Sequence, residues 1–570
     1  MSSPTLKVSR SITANWRRRP HRNRYAAASL LAVVSLTVLS ACGSDVTAAV
    51  SGSAAASVLT IQGDAGSPNL IEDFNPYLGT ELHGTYLLYA PLEIASGVNG
   101  AYTPYLATSY KFTSSTKLVY TLRSGVKWSD GQAFTSADVL FSFNLLKKYP
   151  ALDTTGIWSE ISSVTAAGDN VTFTFKAPNV PFASTIAGTA IVPEHIWSKV
   201  ADPATFTNLH PIGDGPYTLG SFSPTSYTLI KSSTYWGAAT IAPTSVVFPA
   251  EASNQNVNQL DVTSGQFDWA YTYLPDVKAT YVAKDPSTRS YWFPPGGTIG
   301  LFLNLTKAPY NNLAFRQALS LSMQRDQIAL KAINGYLGAA SMSGLILPNL
   351  KEFLDPNLVD QGMVTQNLPE AMTLFAKAGF HMKGSHLTGA NGQAATMTII
   401  LPNSYSDWLD AAQEIRQQLG VVGIDVSLDT PQAAQYQSTV DSGNFDAAIG
   451  GFGGTGSPYN DYNNALNSSF ATPINTATTN NFERFKSPTV DVALAKLAGA
   501  TTLAAQKTDT DTLEQEVLAQ VPIVLLYYGG SWGLFQTTHF TGWPSAQDPY
   551  ALPTNYNDAI LEVVSHLKKA

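Results

Sequence analysis

The sequence predicts an α/β protein with more than one domain. A strand over residues 396–401, a helix over 408–419 and a strand over 425–428 form a β-α-β unit, which is typical of parallel sheets. Charged residues make up only 13% of the chain, and Gly, Pro, Ser, Thr, Asn and Tyr are abundant, which suits many short strands joined by loops. A chain of 570 residues is too long for one hydrophobic core, so we expect two or three domains.

The first half of the chain is predicted to consist of short strands separated by turns. The clearest strand signals lie at residues 58–61, 118–122, 171–175, 227–230 and 245–248. Among them, Thr135 and Asp138 have the spacing of a capping box, which predicts that a helix begins there.

Longer helices are predicted after residue 300. Residues 315–331 have helical spacing, and a second helix begins at Leu368-Pro369 and ends at Gly379. Residues 521–528 are an almost continuous apolar run, which predicts a buried central strand.

The N-terminus has the pattern of a secretory signal. Six arginines between positions 10 and 24 precede an apolar run over residues 26–39, which is shorter than the ~20 residues that span a bilayer. The run ends in Leu39-Ser40-Ala41-Cys42, which resembles the lipobox of bacterial lipoproteins and contains the only cysteine of the chain. We therefore predict a signal peptide over 1–41, a lipidated Cys42 and a flexible tether over 42–57. A buried free thiol and an uncleaved anchor are the alternatives, and general secretion is favoured over twin-arginine export.

Charge and motif content exclude several function classes. The net charge is −8, and removal of the basic residues 1–41 makes it more negative, which argues against a nucleic-acid partner. The histidines are scattered, so we expect neither a metal site nor a cofactor. There is no phosphate-binding Gly-x-x-x-x-Gly-Lys-Ser/Thr loop, so any ATP hydrolysis belongs to partner subunits.

A series of short motifs resembles the family 5 extracellular solute-binding proteins, the peptide- and nickel-type receptors of ABC importers. The most specific is TLRSGVKWSDGQAFTSADV at 121–139, which resembles the signature segment of that family. Further elements follow in the family's order: Phe74-Asn75-Pro76-Tyr77, Ile191-Val192-Pro193-Glu194-His195, Pro211-Ile212-Gly213-Asp214-Gly215-Pro216-Tyr217, Gly265-Gln266-Phe267-Asp268 and Arg316-Gln317-Ala318-Leu319.

The resemblance implies a two-lobed clamshell like that of periplasmic binding proteins. Residues 58–299 and 529–570 would form lobe 1, with an extra domain at about 75–210, and residues 300–528 would form lobe 2. Two crossover segments, 300–305 and 521–528, would form the hinge. The partners it implies are a solute, an ABC permease and its ATPase subunits. We expect a monomer that is held by its lipid at the outer face of the cytoplasmic membrane.

The resemblance favours an oligopeptide-class solute, but one local departure leaves the ligand class open. Peptide-binding relatives tend to place an aspartate just beyond the aromatic residue that corresponds to Phe452, where it pairs with the peptide's ammonium group. Here Gly453-Gly454-Thr455-Gly456 follows, and the first acid is Asp461. Since a buried, unpaired ammonium is costly, either Asp461 takes this role or the ligand has no free amine, as in an oligosaccharide.

Aromatic residues near strand ends are the candidate ligand contacts. Trp408 follows the strand at 396–401, Phe452 follows a strand that ends in Gly450-Gly451, and Trp269 follows Phe267-Asp268. Trp532 lies in the glycine-rich turn after the run at 521–528, and Asp461 completes the set. Each aromatic could equally be a packing residue.

An exported serine hydrolase is the rival hypothesis. Gly529-Gly530-Ser531-Trp532-Gly533 follows a predicted buried strand and matches the nucleophile-elbow pattern. That motif requires a helix directly after the serine, and residues 534–538 carry no helical signal. We therefore favour a glycine-rich turn and expect the protein not to be an enzyme.

We predict that Cys42→Ala abolishes membrane attachment without affecting the fold, because Cys42 is the only residue that can carry the lipid. In cell fractionation the variant should leave the membrane fraction or accumulate as an unprocessed precursor. Normal cleavage with unchanged membrane retention would contradict lipidation.

Overall fold

Short strands and helices alternate along the whole described chain. The computed structural model describes residues 57–64, 68–252 and 254–570, so the predicted signal peptide, Cys42 and residues 43–56 of the tether lie outside it. Within these residues, no helix is long and apolar enough to cross a membrane.

The strands are, in chain order, β1 (Val58–Thr60), β2 (Glu93–Ala95), β3 (Tyr102–Pro104), β4 (Ala107–Ser114), β5 (Lys117–Leu122), β6 (Ile161–Ala167), β7 (Asn170–Phe175), β8 (Tyr217–Ser223), β9 (Ser226–Lys231), β10 (Ser245–Pro249), β11 (Trp269–Tyr271), β12 (Arg289–Trp292), β13 (Pro295–Leu303), β14 (Phe380–Lys383), β15 (His386–Gly389), β16 (Thr396–Ile400), β17 (Asp425–Asp429), β18 (Ala447–Phe452), β19 (Ile523–Gly530), β20 (Gly533–Gln536), β21 (Phe540–Thr541) and β22 (Lys568–Lys569).

The α-helices are α1 (Thr85–Leu88), α2 (Ser136–Lys148), α3 (Ile157–Glu160), α4 (Ala183–Ala187), α5 (Glu194–Trp197), α6 (Gln255–Ser264), α7 (Val277–Thr280), α8 (Leu313–Leu321), α9 (Arg325–Ile333), α10 (Leu368–Lys377), α11 (Ser406–Val421), α12 (Ala433–Asp441), α13 (Pro458–Leu466), α14 (Pro488–Gly499), α15 (Leu503–Gln520) and α16 (Asp558–His566).

The larger sheets divide by position in the chain. Two four-stranded sheets, with strand orders β1-β10-β9-β8 and β4-β5-β7-β6, lie before residue 250, and a mixed five-stranded sheet with order β17-β16-β18-β13-β19 lies after residue 294. A three-stranded sheet, β11-β20-β12, joins residues 269–292 in the middle of the chain to residues 533–536 near its C-terminus.

The β-α-β prediction is confirmed. Strand β16 runs parallel to β17, with Thr396 opposite Asp425, and α11 connects them. The capping box at α2 is also present: Thr135 accepts from the backbone of Ala137, and Asp138 accepts from the backbone of Thr135.

Two helix predictions have different outcomes. The helix predicted from Leu368 matches α10, where the side chain of Asn367 accepts from the backbone N–H of Glu370. The single helix predicted over 315–331 is wrong, because the chain breaks into α8 and α9 at residues 322–324. There Gln324 leaves the helical conformation and donates its backbone N–H to Gln418 Oε1 at 2.7 Å.

The predicted buried strand at 521–528 exists as β19, but it is not central. β19 is the last strand of its sheet, and its outer edge is covered by the segment 338–340. Ala340 N donates to Leu526 O at 3.1 Å, and Tyr528 N donates to Gly338 O at 3.2 Å. The apolar run therefore predicted a buried strand correctly. It did not predict the strand's position, because a covered edge strand has the same sequence pattern as a central one.

The buried apolar side chains form two large cores and one small one. The first core contains residues from 301 to 528, and the second contains residues from 59 to 248 together with Trp269 and residues 535–567. The small core includes Val262, Phe267, Phe293 and Leu534. The chain enters the first core through β13 and leaves it through β19.

Two buried arginines fasten β19 and the residues just before it to neighbouring helices. Arg325 donates from Nε to Leu525 O at 2.7 Å and from Nη2 to Ser320 Oγ at 2.7 Å. Arg316 donates from Nε to Val521 O at 3.1 Å and from Nη2 to Gln520 O at 2.8 Å. Burial lowers the pKa of Arg325 to about 10, so its guanidinium stays charged at neutral pH and binds backbone carbonyls in place of a carboxylate.

We predict that Arg325→Met lowers the free energy of unfolding by about 3–5 kcal/mol, because buried carbonyls lose their donors. Denaturant unfolding measures the effect. The matched control is Arg416→Met on the exposed side of α11, which should change stability by less than about 0.5 kcal/mol. Equal effects of the two substitutions would contradict a fastening role.

Candidate functional site

A cleft of about 540 Å³ lies where the first core meets the second. Its floor comes from one end of the five-stranded sheet: the start of β13, the end of β18 and the end of β19. Its walls come from the segment 94–97, from Tyr271 and from residues 552–562. Each core therefore supplies one side of the cavity.

The floor of the cleft is mostly backbone. Ile299 of β13 pairs with Gly451 of β18, and Gly297 pairs with Gly529 of β19, so the three glycines lie on one face around Ile299. A Cβ atom at Gly451 would have no protein atom within 4 Å. The floor is therefore flat and open, and a ligand can approach the main chain closely.

The opposite wall carries aromatic and acidic side chains. Tyr271 and Tyr556 pack edge to face, with ring centroids 5.4 Å apart. Asn557 is the N-cap of α16 and accepts a hydrogen bond from Ala559 N, so Asp558 is the first residue of the helix. Burial raises the pKa of Asp558 to about 7, while Glu562 one turn later accepts from Thr103 Oγ1 at 3.0 Å.

Further cavities adjoin the cleft and lengthen it. A cavity of about 580 Å³ shares Tyr271 and Tyr556 with it, and one of about 770 Å³ shares Ala95 and Thr455. Two smaller cavities, of about 360 and 190 Å³, open beside Asp558 and Phe452 respectively. This arrangement suits an elongated solute.

The side chains that line these five cavities carry negative charge. Among the described residues, the lining contains five carboxylates and no lysine or arginine; the carboxylates are Asp64, Glu81, Asp461, Asp558 and Glu562. One histidine, His83, lines the 580 Å³ cavity. An anionic solute would find no lysine or arginine in the lining of these cavities, so the lining suits an uncharged or cationic solute.

Trp269 does not reach any of these cavities. It is fully buried in the second core, where Nε1 donates to Pro553 O at 3.2 Å and the ring packs against Trp543. The ligand contact predicted at Trp269 is therefore corrected to a core position. Strand alternation turns this tryptophan inward.

Trp408 and Trp532 are both half-buried, and each packs against other aromatic residues in a different part of the structure. Trp408 lies in the first turn of α11, edge-on to Tyr405 and Tyr436, and does not line the described cavities. Trp532 lies beside the small core, with its ring 5.0 Å from Phe293 and 5.1 Å from Tyr273. Neither position supplies a contact to the cleft.

Phe452 and Asp461 do come together beside the cleft. Phe452 lines both the cleft and the 190 Å³ cavity, although it is only 3% exposed. Asp461 lines that smaller cavity, and its Oδ1 accepts from Thr455 N at 3.1 Å and from Thr455 Oγ1 at 2.7 Å. Its Oδ2 is buried without a partner among the described residues. Asp461 thus reaches back to the loop directly after Phe452.

Ser531 does not have the surroundings of a hydrolase nucleophile. Strand β20 begins at Gly533, so a strand follows the serine where a nucleophile elbow requires a helix. The nearby His539 uses Nδ1 to contact Asp268 Oδ1 at 2.8 Å. Ser531 lines the cleft as part of the turn between β19 and β20.

Sequence reasoning missed Tyr271, Tyr556, Asn557 and Asp558. Asn557 followed by Asp558 and an apolar run is a helix-start signal that could have located α16. Nothing in the local sequence places that helix near the start of β13, because the two are more than 250 residues apart.

Comparison with known proteins gives a consistent result. The family model described as bacterial extracellular solute-binding proteins, family 5 Middle, matches residues 101–473. A probable peptide-binding protein, YejA, of Agrobacterium fabrum is 26% identical over 468 residues, 73% of this chain and 75% of its own.

Solved structures agree in fold. A periplasmic oligopeptide-binding protein of an ABC transporter from Thermotoga maritima superposes with a TM-score of 0.82 at 24% identity, covering 90% of this chain and 99% of its own. Its mannohexaose-bound structure superposes with a TM-score of 0.75 at 25% identity, covering 90% and 98%. The predicted fold class, a two-lobed clamshell of α/β type, is confirmed.

We predict that Asp461 makes stability fall as the pH rises. Burial raises its pKa from 3.8 to about 6, against the hydrogen bonds from Thr455, so the folded state keeps the proton longer than the unfolded chain does. The contribution is fully present below pH 4 and is lost by about pH 6. Relative to the wild type, Asp461→Asn should therefore be more stable at pH 7.5 than at pH 4, by about 1–3 kcal/mol. The same difference at both pH values would contradict this.

Proposed function

Because this chain belongs to the family 5 bacterial extracellular solute-binding proteins of ABC importers, we propose that it captures an oligopeptide-class solute in the cleft and delivers it to the permease. The observation that carries the proposal is the cleft itself, whose floor comes from the first core and whose walls come from the second. A solute that contacts both sides favours the closed arrangement only to the extent that it binds that arrangement more tightly than the open one.

We further propose that the two large cores are the cores of the two lobes. Lobe 1 would comprise residues 58–299 and 529–570, including the extra domain at about 75–210, and lobe 2 would comprise 300–528. The cores on either side of β13 and β19 support this division. The residues of the small core all fall within the bounds of lobe 1.

The hinge we propose lies at the end of the sheet where β13 begins and β19 ends. Leu301 and Leu303 of β13 and residues 523–527 of β19 are fully or almost fully buried, so bending within 300–305 and 521–528 would disrupt the first core. The pairs Gly296-Gly297 and Gly529-Gly530 lie side by side at the mouth of the cleft, with Pro295 opposite Gly530. Glycine permits the backbone changes that lobe closure needs.

The solute chemistry follows from the charge of the lining. A free peptide buries a terminal carboxylate at a cost unless a cation meets it, and the described cavities offer no lysine or arginine. An oligopeptide must therefore leave that end in solvent or carry compensating positive charge. The name of the YejA relative supports the peptide class.

An oligosaccharide is the second candidate. The mannohexaose complex of the Thermotoga protein shows a sugar in this fold, and the flat floor with Tyr271 and Tyr556 opposite suits stacked rings. The absence of an acid at residues 453–456 favours a ligand that places no free amine beside Phe452.

Extracytoplasmic location follows from the family, and attachment through Cys42 stays a proposal. A monomer that docks its closed form on the permease is the simplest assembly for this role. Family and fold are those of substrate-binding proteins and not of enzymes.

We predict that Gly451→Leu abolishes solute binding without loss of stability, because the new side chain projects into the open cleft. Thermal shift with tri- to hexapeptides and with manno-, cello- and xylo-oligosaccharides should identify a wild-type ligand, since a hundredfold excess over Kd stabilises by about 2.7 kcal/mol. Affinity for that ligand should fall more than tenfold in the variant.

The matched control is Gly420→Leu. Gly420 also has no atom within 4 Å of an added Cβ, but it lies in α11, away from the described cavities. The control should bind as the wild type does. If Gly451→Leu binds the ligand as the wild type does, the cleft is not the binding site. If the wild type binds none of the oligomers, the proposed solute classes are wrong.

A further inference from the structure

The 360 Å³ cavity beside the cleft lies at the surface of the second core. It is lined by residues from three stretches, 76–91, 146–157 and 184–190, together with Asn557 and Asp558. Its volume lies at the lower end of the roughly 300–1,000 Å³ that is usual for small-molecule sites. We call it the side chamber.

The side chamber contains polar groups that have no partner within the described chain. Thr85 is 2% exposed, and its Oγ1 forms no hydrogen bond. Glu81 Oε1 accepts from Tyr86 Oη at 3.3 Å, whereas Glu81 Oε2 is buried and unpartnered. A buried hydroxyl or carboxylate without a partner lowers the free energy of unfolding by about 1–3 kcal/mol or more. A hydrogen-bond donor on a ligand would recover part of this cost.

The charge of the side chamber is negative and uncompensated. Glu81 and Asp558 line it, and the lining contains no lysine, arginine or histidine among the described residues. The Asp558 carboxylate accepts no hydrogen bond from any described residue. Burial raises the pKa of both carboxyls, that of Asp558 to about 7, so a cation that binds here would favour their ionised forms.

The side chamber communicates with the cleft. Asn557 and Asp558 line both cavities, and Glu81 lines both the side chamber and the 580 Å³ cavity further along. A solute on the glycine floor therefore lies next to the side chamber, with Asp558 at the boundary between the two cavities. No cluster of three or more potential metal ligands occurs in the described residues, so an organic cation fits these carboxylates better than a metal ion.

We propose that the side chamber binds a positively charged group of the transported solute, a primary ammonium or a guanidinium, between Asp558 and Glu81, with Thr85 Oγ1 accepting one of its hydrogens. The proposal rests on the proposed function, because it names the kind of oligomer that the same receptor selects: a cationic one.

The test uses matched pairs of oligomers that differ only in charge. One pair is tetralysine and its Nε-acetylated form; the other is the tetramer of glucosamine and that of N-acetylglucosamine. Calorimetry on the full mature chain should show that the charged member of at least one pair binds about 10- to 100-fold more tightly. Glu81→Gln or Asp558→Asn should reduce this preference to less than threefold.

Two further variants separate binding from folding. Thr85→Val replaces an unpartnered hydroxyl by a methyl group, so it should leave the unfolding midpoint unchanged or raised, and yet reduce the charge preference several-fold. Glu352→Gln, an exposed acid outside the described cavities, should leave the preference unchanged.

The outcomes distinguish the two hypotheses. Binding of a neutral member with no preference for its charged partner would overturn the side-chamber proposal and leave the receptor function intact. The same is true of a preference that persists in Glu81→Gln, Asp558→Asn and Thr85→Val. Failure of all four oligomers to bind, together with the peptide and sugar panel, would instead overturn the proposed solute classes and the side-chamber proposal with them.

Discussion

Strands β13 and β19 carry the chain between its two large cores, and their antiparallel pairing holds the site together. The pairing runs from Pro295 opposite Gly530 to Phe302 opposite Ile523, so one end lies in the cleft and the other in the first core. Backbone hydrogen bonds fix the register, and the glycines meet on the same face because side chains alternate along each strand. The floor, the arginine contacts and the proposed hinge all depend on this register.

Negative charge without positive partners is the second constraint. Asp461 and Asp558 lie where burial disfavours their ionised forms, so both reduce stability at neutral pH. A fold under selection for stability alone would pair or replace such groups. Their positions beside the cleft and the side chamber are explained if a solute supplies the missing donors, since binding then recovers part of the cost of burial.

The correct predictions depend on residues that are close in sequence, and the incorrect ones depend on contacts between residues that are distant in sequence. The capping box at Thr135, the helix from Leu368 and the β-α-β unit depend on residues close in sequence, and the structure has all three. The break at residues 322–324 involves Gln418, and the edge position of β19 involves the segment 338–340. Both contacts are distant in sequence, so local pattern could not reveal them.

By itself, the sequence determined the fold class, the family and most local elements, because turn chemistry, periodicity and ordered motifs depend on residues close together in the chain. For Asp461 it left two roles open, and only the structure shows its contact with Thr455, in the loop directly after Phe452. Tertiary structure alone decided which side chains line the cleft. It buried Trp269, set Trp408 and Trp532 aside, and brought Asp558 and Tyr556 to the ends of β13 and β18. The physical reason is that a cleft is made by surfaces from distant segments, and burial depends on how the cores meet, which no single segment encodes.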